Sequence, residues 1–174
     1  MRQMTKVAVT TISLALALSL TSCSGAGPDA ATRMINRVTD GAEAVVNTDG
    51  SDLRISNLLL VATEDGSAVV VGHIVNRAHE TDQILGITVG GVGATLTGET
   101  KLVSNKPIHF EGEQANAKAV FPGVGAVAGR NVDFTIGFAR AGLVTVRAII
   151  RDKRDIYADV TTGAKLATPA ATTK

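Results

Sequence analysis

From residue 53 onward, short apolar runs alternate with polar positions, and turns rich in Gly, Asn and Asp separate the runs. A period of two marks strands with one buried face, and clusters of turn residues mark their ends. The pattern predicts eight short strands. The first covers 53–62, with Leu53, Ile55, Leu59 and Val61 on one face. Asp65-Gly66 then supplies a tight hairpin turn. The second covers 68–76, where Val69-Val70-Val71 and Ile74-Val75 read as an inner strand buried on both sides. After a polar loop over 77–82 comes 83–89, with Leu85, Ile87 and Val89 in alternation. Gly90-Gly91 leads into a weak strand at 94–97.

A strand at 101–103 resumes at 108–111. Pro107 cannot donate to a ladder, so this segment belongs on an edge. The sixth strand, 116–121, ends at Pro122-Gly123. Residues 124–130 form a Gly/Ala/Val loop, either a docking tip or a cover for the core. The cleanest signal is 132–138, with Val132, Phe134, Ile136 and Phe138 on one face. Ala141-Gly142 turns it into 143–150. Seven or eight strands at this spacing fit an all-β Greek-key sandwich, with a barrel as the alternative.

The pattern before residue 53 is different. Arg2 and Lys6 precede an uncharged apolar stretch, 7–20, followed by Leu20-Thr21-Ser22-Cys23. The stretch is shorter than the about 20 residues a membrane-spanning helix needs and suits a secretory leader. An apolar residue three before the cysteine, with small residues between, reads as a lipobox. Residues 1–22 are then a lipoprotein signal peptide, and Cys23 is the lipid attachment site, carrying a diacylglycerol thioether and an N-acyl chain. Two acyl chains give stable anchoring at about 0.8 kcal/mol per buried CH2. The expected location is the outer, extracytoplasmic face of the cell membrane. Cys23 is the only cysteine, so stability must come from the core and not from a disulfide.

Residues 23–50 are small and polar and read as a tether; 32–38 within it reads either as linker or as a helical turn or two. The domain is assigned to 51–160. Residues 161–174 form an Ala/Thr/Pro-rich tail of disordered composition.

Composition narrows the function. The chain has 17 basic and 16 acidic residues, and two of the basic ones lie in the leader. Near-neutral charge argues against nucleic acid as a partner. One Tyr, four Phe and no Trp leave little aromatic surface for a cofactor or a sugar.

Three segments resemble a known family: Val75-Asn76, then 82–87 (Asp-Gln-Ile-Leu-Gly-Ile), then 131–146 (from Asn-Val-Asp-Phe-Thr-Ile-Gly-Phe to Gly-Leu-Val-Thr-Val). They resemble the periplasmic copper-chaperone (PCuAC) domain, and more closely its LpqE-like actinobacterial lipoprotein branch. The resemblance spans 53–151. It implies an immunoglobulin/cupredoxin-like sandwich and, for that branch, an accessory role beside a membrane respiratory complex. The copper chemistry it implies needs His and Met, because imidazole and thioether suit Cu(I). The matching segments, 96–99 and 114–121, contain neither, and no Met lies in the domain.

His73, His79 and His109 are the only histidines. His73 and His109 are the metal candidates, against the plainer reading of His73 as a hydrogen-bonded strand residue. His79 belongs to a solvated loop with Arg77, Glu80 and Asp82. Asp49, Asp52, Glu64 and Asp65 lack the ligand spacing of a calcium loop. Arg147, Arg151, Lys153 and Arg154 form a candidate contact for lipid heads or an acidic partner, or a solvated turn interleaved with Asp152 and Asp155. No catalytic motif is present. The expectation is a non-enzymatic, membrane-anchored binding or accessory module with a protein partner and no cofactor beyond its lipid. The alternative is a metal chaperone with an altered site.

Overall fold

The computed structural model describes residues 40–163 and 166. The leader, Cys23, residues 24–39 and most of the tail lie outside the described residues. Eleven strands follow in order: β1 (Ala42–Val46), β2 (Leu53–Ala62), β3 (Ala68–Asn76), β4 (Asp82–Val89), β5 (Val92–Gly93) and β6 (Thr95–Gly98). Then come β7 (Lys101–Leu102), β8 (Ile108–His109), β9 (Ala117–Phe121), β10 (Asn131–Phe138) and β11 (Gly142–Asp152), closed by a 3-10 turn at Asp155–Tyr157.

One sheet runs β5-β4-β10-β11 and the other β2-β3-β9-β6, with β1 on β2 and β8 on β3. β11 belongs to both. It pairs antiparallel with β10 from Gly142 to Ile149, then runs parallel to β2 with Ile150 beside Leu60. On the far side β7 pairs with β4, and Ser104 bridges to Asn76 of β3. The all-β sandwich is therefore nearly closed at two corners and approaches a barrel.

The main core fills the space between the sheets: Leu53, Ile55, Leu58 and Leu60 from β2, Val70 and Ile74 from β3, and Phe134, Ile136 and Phe138 from β10. Phe121 and Phe134 meet edge to face at 6.3 Å. A second, smaller cluster covers the outer face of β2 and β3, where Leu59, Val61 and Val69 pack beneath Tyr157 and Val160. That cover explains why β3 reads as buried on both sides.

The structure corrects the sequence reading in three places. Leu59 and Val61 do not share a face with Leu53 and Ile55. The β2–β3 register shifts between Ser56 and Leu59, with Asn57 at φ 52°, and the extra residue reverses the alternation. Gly72 faces this bulge; a Cβ there would come within 2.8 Å of the Asn57 carbonyl oxygen. Leu85 is 65% exposed, because β4 is shifted opposite Gly137/Phe138, and Ile84, Ile87 and Val89 point inward instead. Finally, the end of the span read as tether forms β1, which pairs with β2 and packs Ala42, Ala44 and Val46 against the core.

Two buried polar side chains hold the loops. The Asn76 amide donates to the carbonyls of Glu80 (2.7 Å) and Leu102 (2.9 Å) and accepts from the Ala78 N–H (3.0 Å). The Asp82 carboxylate accepts from the N–H groups of Gln83 (2.7 Å), Arg140 (2.8 Å) and Ala141 (3.1 Å). Asp82 is therefore buried, not part of a solvated loop.

Candidate functional site

β3 and β8 bring His73 and His109 face to face as register partners. The adjacent position carries a ladder bond, Phe110 N–H to Gly72 O at 3.0 Å. In an antiparallel ladder bonded and unbonded pairs alternate, and unbonded pairs hold their side chains closer. His73/His109 occupies the unbonded position. Their rings lie 5.4 Å apart between centroids, tilted by 36°, and both side chains are half-buried. Ile74, Ile108 and Phe110 turn into the core, so the imidazoles face outward.

His109 is held from its other side by Asn116. The Asn116 Oδ1 accepts the His109 N–H (2.8 Å), its Nδ2 donates to Pro107 O (3.0 Å), and its backbone N–H donates to His109 O (3.0 Å). One side chain thus replaces a neighbouring strand at the edge that Pro107 predicted. Sequence reading missed Asn116, because an Asn at a strand start looks like an ordinary turn residue.

Along the same outer face runs a groove of about 500 Å3, lined by Val71, Glu111, Lys118, Tyr157, Val160 and Leu166 among others. Lys118 is buried and ion-paired to Glu111. At the groove's end the Tyr157 hydroxyl donates to Asp40 Oδ2 (3.2 Å), which also meets Arg151 (3.1 Å). Burial, then the Asp40 charge, raises the Tyr157 pKa above the usual phenol value.

The remaining candidates are dispersed. His79 lies exposed on the 77–81 loop, apart from the other histidines in the ladder. In the basic cluster Arg151 is paired with Asp40 and Arg154 with Asp152, while Arg147 stands opposite Asp133 across β10–β11. Opposite charges thus face three of the four cations; Lys153 is half-buried. Asp65 accepts from Thr63 Oγ1 (2.6 Å) and the Ser67 N–H (3.1 Å), bonds that lower its pKa and mark it as a turn residue. Asp52 faces Arg54 at 3.3 Å. In the 124–130 loop Val124 and Ala126 pack on the core and Val127 is exposed. Among the described residues, no three His, Cys, Asp or Glu side chains gather as a metal cluster. Cys23 lies outside the described residues.

Together these features define an all-β sandwich with one outward histidine pair beside a half-apolar groove. No family model and no curated protein matches the chain. Solved structures do. The apo PCuAC domain from PmoF1 is similar at 20% identity and TM-score 0.53, over 63% of this chain and 98% of that one. The copper-bound PCuAC domain from PmoF2 is similar at 18% identity and TM-score 0.53, over 63% of this chain and 97% of that one. At these identities the likeness shows the fold: the chain has a PCuAC-like sandwich.

The copper site implied by the resemblance does not fit these residues. The two relevant segments do meet, since Leu96 pairs with Ala119 and Gly98 with Ala117. Neither brings a His or Met to that junction, where Lys118 is instead buried and ion-paired to Glu111.

Proposed function

We propose that this chain is a lipid-anchored, non-enzymatic binding or accessory module on the outer face of the plasma membrane, of the LpqE-like actinobacterial type, serving beside a membrane respiratory complex. The observation that carries this reading is the order of parts: a lipobox ending at Cys23, a short polar segment, then a sandwich whose first strand begins at Ala42. Acyl chains on Cys23 would hold the chain at the membrane surface, within range of a membrane partner. The PCuAC-like fold supports a binding role over a catalytic one.

Detergent phase partition tests the anchor. The wild-type chain is expected in the detergent phase and Cys23→Ala in the aqueous phase; wild type in the aqueous phase would refute anchoring. Affinity recovery through the C-terminus in mild detergent tests the accessory role. Co-purification of a respiratory membrane complex at a fixed ratio supports it, and recovery of the free monomer alone counts against it.

A further inference from the structure

We propose that His73 and His109 form a two-imidazole site for a divalent transition metal, on the outer face of β3 and β8. The location differs from the segments where the resemblance implies copper ligands. The argument rests on strand geometry. Register partners at an unbonded position are the closest side-chain pair that an antiparallel ladder offers. Two imidazoles bound to one metal at about 2.0 Å each hold their ring centroids about 4.5 to 5.5 Å apart for bond angles between square and trigonal. The observed 5.4 Å falls within that span, at the wider end.

The support beneath the pair is rigid. Ile74 and Ile108 are buried directly behind it, and Asn116 fixes the His109 backbone through both its N–H and its carbonyl. Metal binding therefore requires little ordering of the chain.

The donor set decides which metals bind. Imidazole suits copper, nickel and zinc, and with equal ligands Cu(II) binds most tightly of the first-row divalent ions. A site built on two imidazoles suits transient loading more than permanent structural use. Glu111 and Lys118, on the same face, are paired to each other, and the groove beyond them also carries Glu113 and Asp159.

The inference does not depend on acylation at Cys23. The full mature chain in detergent is titrated with copper(II) chloride, followed by calorimetry and electron paramagnetic resonance. One Cu(II) per chain with hyperfine splitting from two nitrogens is expected. His73→Ala and His109→Ala should each weaken binding by more than the roughly tenfold that loss of an outer-shell partner alone costs, since each removes a ligand itself. His79→Ala should leave it unchanged. Paramagnetic broadening of wild-type amide signals needs no variant, and should centre on residues 72–74 and 108–110. Nickel and zinc chloride should bind at the same place, more weakly. No Cu(II) uptake, broadening centred elsewhere, or affinity that survives both substitutions would overturn the proposal. None of these results bears on the membrane anchor, which phase partition reads separately.

Discussion

Replacing Asp82 tests how the β10–β11 turn is held to the start of β4. Its carboxylate accepts three backbone N–H groups, two of them from the turn between β10 and β11. Hydrogen bonds to a charged group contribute about 1.5 to 3 kcal/mol each, and an orphaned buried donor costs about 1 to 3 kcal/mol. Arg140 is exposed and Ala141 half-buried, so water can reach part of the turn once the carboxylate is gone. A simple sum would therefore overshoot, and Asp82→Ala should cost about 3 to 4 kcal/mol. Asp82→Asn keeps one oxygen for two of the bonds and sets an amide donor against the Ala141 N–H, for about 1 to 2 kcal/mol. In urea, with an m-value of about 2 kcal/mol/M, the midpoint for the Ala variant falls by roughly 1.5 to 2 M. Amide exchange should quicken first at Arg140 and Ala141. A loss under about 1 kcal/mol for Ala, or equal losses for Ala and Asn, would refute the assignment of these bonds as the clamp.

Three further outcomes are expected. Phe121→Ala removes a fully buried ring and its edge-to-face contact with Phe134, and should cost about 3 to 5 kcal/mol by chemical denaturation. Asn116→Ala should cost about 1 to 3 kcal/mol and speed amide exchange at His109, whose N–H loses its acceptor. The raised Tyr157 pKa means the neutral phenol is favoured in the fold. Its contribution is complete below the unfolded value near about 10 and is lost as pH rises through the folded value. Denaturation between pH 8 and 11 should show wild type weakening at the alkaline end and Tyr157→Phe weakening less.

Much of the fold was legible because its longest strands are locally consistent. Leu53–Ala62, Ala68–Asn76 and the Phe134-Ile136-Phe138 face read from alternation and turn residues alone. What failed depends on long-range geometry. Ala42–Val46 is short, carries Glu43 and borders Asn47, Thr48 and Asp49, so nothing local separates it from a tether; its pairing with β2 makes it a strand. Alternation assumes an unbroken register, and the bulges at Asn57 and Leu85 break it. The candidate site was half legible. Both histidines were singled out on strands, yet only the β3–β8 register shows that they face one another. Asn116, Asn76 and Asp82 have loop chemistry in sequence and buried, bond-saturated roles in the fold.

The membrane-bound accessory reading stands or falls on one sulfur. Tandem mass spectrometry of the N-terminal peptide from the cell-derived protein reads it directly. The account predicts a chain that starts at Cys23 and bears a diacylglyceryl thioether; an unmodified Cys23, or a chain still carrying residues 1–22, would contradict it.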